Sequence, residues 1–253
     1  MIRAMKAIVL SCDKYQPFAL HMVTRYQKLW PNHPFEFLIP YQHEASLDKL
    51  QQGRKIQAVK TPSEIRATIL SLLDQVDPEE WILWSIDDKY PETINVPALE
   101  TIVHAIQNLD NRKINGIAFT RCRRWRKSQY LIPGKINLAQ YKKFGVLTRK
   151  INLIERKDYS QIWLHQFIQT KALRTLIEKF PEITCTPKAL DKIKNEIELP
   201  KNQHLYVTKR TFATYAESTT RGLVTKNAAE SMAKELIDIP ECFGVSEKSI
   251  FIS

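Results

Sequence analysis

Over its first 120 residues the chain alternates two kinds of segment, and this alternation limits the fold more than any other feature. Ala7–Leu10 is a run of four apolar residues with no polar interruption. "FEFLIPY", "WILWSI" and "INGIAFT" repeat the type, and "KIQAVK" reads as a further short strand. Unbroken apolar runs bury both faces, as strands of a parallel sheet do. Between them lie helical periodicities. Phe18, Met22, Val23, Tyr26 and Trp30 follow Pro17 at helical spacing. Ile65, Ile69, Leu72, Leu73 and Val76 line one face after a Thr61/Glu64 capping box with Pro62 at the first helical position. Leu99, Ile102, Val103 and Ile106 line a third. Strand–helix alternation predicts an α/β fold: a mixed, mostly parallel sheet flanked by helices. Ligands of such sheets bind beyond the C-terminal strand ends.

The second half is less regular. "RCRRWRKSQYLIPGK" reads as a basic loop and "QYKKFGVLTRK" as a short strand pair. The stretch from Ser160 to Phe180 reads as one helix, with Ile162, Trp163, Phe167, Ile168 and Leu173 on its apolar side and His165 at its surface. A β-rich stretch and a last helix follow. Neither an internal repeat nor a sharp boundary appears.

Composition narrows the class. Six glycines in 253 residues argue against Gly-rich phosphate loops. Cys12, Cys122, Cys185 and Cys242 form no CxxC pair, so reduced thiols are expected rather than a zinc knuckle. The first apolar run is far too short for a leader or a membrane span. A cytoplasmic location is expected, with any membrane contact peripheral, at the inner face. The net charge of +11 favours polyanions, phosphorylated small molecules or an anionic membrane surface, without choosing among them.

One detail raises a chemical question. Asp87 and Asp88 follow the buried "WILWSI" run side by side, at a predicted ligand edge. Adjacent carboxylates repel, so a cation, a helix N-terminus or open water should offset them. Acidic residues after a strand also serve as turn formers and caps. Hard divalent cations take one or two carboxylates together with substrate phosphates, and can neutralise a departing diphosphate.

Three segments carry a family resemblance: the opening "AIVLSCDKYQPFALHMVTRYQKLWPNHPFEFLIPYQ", then "EIRATILSLLDQVDPEEWILWSIDDKY", then "SQIWLHQFIQTKALRTLI". Together they resemble GT-A-type glycosyltransferases, most closely the small bacterial group of majastridin and capsular polysaccharide transferases. The resemblance implies a GT-A-like fold, a nucleotide-diphosphate sugar donor (a UDP-sugar foremost), a hydroxyl acceptor and a divalent cation, Mn2+ or Mg2+. It places the metal at Asp87 and Asp88. Lys89 stands where a strict D-x-D motif has its second carboxylate. Residues 1–120 would be the nucleotide-binding half and 121–253 the acceptor-side half of one compact domain.

Further candidates divide between binding and ordinary structure. Ser11, Asp13 and Tyr15 could hold base and ribose, or Asp13 could cap the helix at Pro17. Arg66 could reach a phosphate, or be a solvated helix charge. Arg123 and Arg124, around an apparently exposed Trp125, suit a diphosphate or an anionic acceptor. Arg221, in "RGLVTK", could close over the diphosphate or sit in a turn. Asp158 is the candidate general base, with helix capping near Ser160 as its structural alternative. The competing functions are nucleic-acid binding, which lacks a recognised module, and sugar-nucleotide binding without turnover.

Overall fold

The computed structural model describes residues 3–51, 55–108, 114–143, 147–182 and 187–252. The strands are β1 (Met5–Leu10), β2 (Phe35–Tyr41), β3 (Ile56–Lys60), β4 (Trp81–Ile86), β5 (Lys89–Ile94), β6 (Gly116–Ala118), β7 (Ile136–Lys143), β8 (Leu147–Glu155), β9 (Gln166–Gln169), β10 (Leu205–Thr208), β11 (Ala213–Glu217), β12 (Thr219–Thr220), β13 (Leu223–Val224), β14 (Gly244–Val245) and β15 (Phe251–Ile252). The helices are α1 (Gln16–Leu29), α2 (Glu44–Gln51), α3 (Ile65–Leu73), α4 (Val96–Gln107), α5 (Thr170–Ile177), α6 (Pro187–Ile193) and α7 (Lys226–Lys234).

A nine-stranded sheet in the order β3-β2-β1-β4-β9-β6-β10-β8-β7 organises the chain. Its pairings leave all strands but β9 and β8 running the same way, so the sheet is mixed and mostly parallel. The expected α/β architecture is therefore present, and both halves of the chain contribute strands. On one face α1 and α4 pack with Phe18, Met22, Tyr26, Leu99 and Val103 into the larger core. On the other, α3 and α5 pack with Ile69, Leu72, Trp84, Leu173 and Leu176. Each such fully buried side chain contributes about 1.5–3 kcal/mol from the apolar area it removes from water.

At the end of β4 the chain leaves this sheet. Asp87 and Asp88 make a two-residue turn, and β5 runs on to pair antiparallel with β11, itself bordered by β15. The acidic pair thus sits at the junction of two sheets.

Three expectations are corrected. The segment after Ser160 is not one helix: turns lead to Gln166, β9 pairs antiparallel with β4 and β6, and only then does α5 begin. The Phe167 and Ile168 side chains fill opposite cores, as a strand's alternation requires. His165 is therefore fully buried rather than a surface helix residue. The α3 cap is also different. Glu64 is the N-cap, its carboxylate accepting from the Arg66 and Ala67 amides at 3.0 and 2.7 Å, while the Thr61 hydroxyl accepts from Gln42.

Candidate active site

The C-terminal ends of β1 and β4 meet side by side. The Asp87 amide donates to the Leu10 carbonyl at 3.2 Å, which fixes the acidic turn against Ser11 and Cys12. Asp87 is 9 % exposed. Burial, and then the neighbouring Asp88 charge, push its carboxyl well above the usual carboxylate range, against a hydrogen bond from Ser11 and the Lys89 ammonium. Asp88 is more open, and its Oδ1 accepts from Lys89 Nζ at 2.9 Å. Its carbonyl accepts the Ser218 amide at 2.6 Å, tying the turn to the end of β11.

Glu217 stands opposite Lys89 in the β5–β11 register. Its carboxyl is also raised, first by burial and then by Asp88, with Lys89 pulling the other way. Three carboxylates therefore crowd one ammonium. Cys12 and Tyr15 complete the rim. Burial, followed by the Asp87 charge, raises both the Cys12 thiol and the Tyr15 hydroxyl, and Tyr15 hydrogen-bonds Thr219. Behind the turn lies a buried relay. His165 Nε2 lies 3.2 Å from the Ile86 carbonyl, His165 Nδ1 2.9 Å from the Tyr26 hydroxyl, and that hydroxyl 2.7 Å from Tyr215. Burial lowers His165 to about 3, so the imidazole is neutral and holds the end of β4 as a hydrogen-bonding group.

The structure brings Ser11, Tyr15, Asp87 and Asp88 together. Asp13 has another task. Its carboxylate accepts the Gln42 and His43 amides at 2.9 Å each and His43 Nδ1 at 2.7 Å, clamping the β1 loop to the end of β2. Burial opposes its charge, yet these hydrogen bonds leave it below the usual carboxylate range. Arg66 turns towards the C-terminal end of α5, 3.5 Å from the Glu178 carbonyl and 4.0 Å from Glu182. Arg124 stacks over Tyr130 at 3.9 Å and pairs with Asp158 at 3.5 Å. Asp158 also accepts the Ser160 amide at 2.9 Å, the capping role. Arg123 is exposed. Trp125 is not: it is fully buried against Leu131, Leu164 and Val207, because the short helical turn at Arg123–Arg126 rolls it inwards. Arg221 is exposed at the tip of the β12–β13 hairpin, at φ 51° beside Gly222 at φ 79°, the backbone such a tight turn requires.

Glu217 and Thr219 were missed by sequence reasoning. Glu217 lies far along the chain, and only the pairing of β5 with β11 carries it to the turn. A cavity of about 490 Å³ lies elsewhere, where Asn95, Lys142, Thr211 and Thr214 surround the start of α4. No carboxylate lines it, whereas the acidic turn gathers three.

No protein-family model matches the chain, and no curated protein matches it. Among solved structures it is similar to the galactosyltransferase LgtC in complex with donor and acceptor sugar analogues. The identity is 12 %, the TM-score 0.37, and the match covers 78 % of this chain and 68 % of that one. TarS from S. aureus gives 12 % identity and a TM-score of 0.45, over 83 % of this chain and 59 % of that one. Bifunctional IspDF from Campylobacter jejuni gives 12 % and 0.34, over 79 % and 50 %. The chain thus spans half the length of IspDF.

A divalent cation at the turn would meet the Asp87 and Asp88 carboxylates. Among the described residues no three His, Cys, Asp or Glu side chains converge as a metal cage. Two adjacent carboxylates suffice for Mg2+ or Mn2+ when phosphate oxygens and water supply the remaining ligands. Burial is the first cause that raises the Asp87 and Glu217 carboxyls, and a cation held at the turn would stabilise their charged forms. The donor set fits.

Proposed function

We propose that the protein is a glycosyltransferase that takes a nucleotide-diphosphate sugar at the acidic turn and passes the sugar to a hydroxyl acceptor. The observation that carries this reading is the convergence of Asp87 and Asp88 with Ser11 and Tyr15 where two parallel strands end. This is where α/β sheets bind nucleotides. Tyr15, in edge contact with Phe243 at 5.2 Å, offers a ring for the base. Asp87 and Asp88 would hold a divalent cation, which would supply neutralising charge for the leaving diphosphate. Lys89 adds a second positive charge beside them.

In the transfer, the acceptor oxygen forms a bond to the anomeric carbon as the bond to the diphosphate oxygen breaks, and the hydroxyl proton must leave. Glu217 is better placed to take that proton than Asp158, which is engaged by Arg124 and Ser160. Its raised affinity for protons suits a general base.

The Lys89–Asp88 ion pair favours a second form of the same reading, in which the ammonium alone receives the diphosphate. A thermal-shift screen of UDP, GDP and CMP and their sugars, with Mn2+ or with EDTA, tests both. Stabilisation by one base series supports donor binding, and its survival in EDTA selects the lysine-only form. No response to any nucleotide contradicts the proposal.

A further inference from the structure

The chain's entire net charge lies in one stretch. Residues 121–157 hold twelve of its 38 basic residues and one of its 27 acidic residues, so the rest carries 26 of each sign. The stretch starts just beyond β6, crosses one face over Trp125 and Leu131, and ends in the β7–β8 hairpin at the edge of the large sheet.

Some of this charge is used internally. Arg156 is buried 5.1 Å from the Trp125 ring, Arg121 donates to the Trp125 and Lys209 carbonyls, and Arg124 holds Tyr130 and Asp158. Arg123, Lys127, Lys135, Lys142, Lys150 and Lys157 are exposed. The nearby acids are engaged, Glu155 with His204 at 2.6 Å and Asp158 with Arg124. Lysines on an edge strand also discourage unwanted strand pairing. That accounts for Lys142 on β7 but not for Lys127, Lys135 or Lys157, which lie outside the strands.

Two observations distinguish among anionic partners. Ile132 and Ile136 are each 39 % exposed and flank Pro133, Gly134 and Lys135. Meanwhile the described aromatic rings of the stretch are covered: Trp125 and Tyr141 are buried, and Tyr130 lies under Arg124. A single-stranded nucleic acid would find charge without a stacking platform. An anionic bilayer asks for basic side chains with aliphatic groups that enter the interface.

We propose that this edge docks the protein on an anionic phospholipid surface, the exposed lysines and Arg123 meeting lipid phosphates while Ile132 and Ile136 enter the headgroup region. Among the described residues no helix is long and apolar enough to cross a membrane. The proposal does not depend on the chemistry of the acidic turn.

The test is cosedimentation of the full chain with vesicles of phosphatidylcholine alone or containing phosphatidylglycerol. Binding to the anionic vesicles at least about tenfold tighter, and weakened by salt, is expected. Lys127→Glu/Lys135→Glu/Lys150→Glu should weaken it about a hundredfold. Ile132→Ser/Ile136→Ser should weaken vesicle binding about fivefold or more, while leaving affinity for a single-stranded oligonucleotide unchanged. Asp88→Asn should bind vesicles like the parent, which separates this proposal from the catalytic one. Circular dichroism confirms that each variant folds. Equal or absent binding to the two vesicle types would overturn the proposal. So would isoleucine variants that bind vesicles normally when the parent prefers the oligonucleotide.

Discussion

Lys89 Nζ lies 2.9 Å from Asp88 Oδ1 and faces Glu217 across the β5–β11 ladder, so a single ammonium stands among three carboxylates. The Asp87 carboxyl, the most buried of the three, carries the greatest burden.

Replacing Asp88 removes the more accessible carboxylate. Asp88→Ala should abolish the Mn2+-dependent part of a donor-induced rise in Tm while changing apo stability by only about 1 kcal/mol, because the buried Lys89 ammonium keeps Asp87 and Glu217 as neighbouring charges. Differential scanning fluorimetry with and without Mn2+ checks this. An unchanged Mn2+ response would remove Asp88 from the metal site.

The crowded carboxylates also set a pH dependence. Asp87 and Glu217 have folded pKa values above their ordinary ones, so the native state binds more protons than the unfolded chain. Their contribution is fully present below about pH 4 and is lost as pH rises through the raised values. Asp87→Asn should therefore raise apo Tm at pH 8 by about 3 °C, with a smaller effect at pH 4. A Tm difference that does not grow with pH would contradict the burial of charge at Asp87.

Histidines act in the opposite direction. Burial lowers His21 and His33 to about 4 and His165 to about 3. The native state then binds fewer protons than the unfolded chain, so stability falls as pH drops from 6.5 towards these values. Urea denaturation at pH 7 and pH 5 should show a clearly lower midpoint at pH 5. His165→Asn should flatten that slope, since it removes one of the three groups.

Asp13 separates loop architecture from ligand contact. Asp13→Ala frees the Gln42 and His43 amides and should cost about 1–3 kcal/mol of stability, the penalty for leaving hydrogen-bonding groups without a partner. If Asp13 instead bound ribose directly, donor affinity would fall with little change in Tm.

The parallel core was legible because β1, β2 and β4 each contain an unbroken run of at least four apolar residues and α1, α3 and α4 keep strict helical spacing. β5 was hidden because "DDKYPE" has the composition of a turn, and Pro91 is tolerated only because β5 starts a second, small sheet. β9 was hidden because Phe167 and Ile168 also fit the period of the helix that follows them. Trp125 looked exposed among its arginines. Its burial depends on Leu164 and Val207, distant residues that no local pattern connects to it. The acidic pair was legible at its strand end, whereas the place of Glu217 beside it was not, since that position comes from a long-range strand pairing.

Isothermal titration of a UDP-sugar into the protein with Mn2+, repeated for Asp87→Asn/Asp88→Asn, tests the central claim most directly. The account predicts saturable binding by the parent and at least about tenfold weaker binding by the variant, equivalent to 1.4 kcal/mol. Equal affinity for the two folded proteins would contradict it.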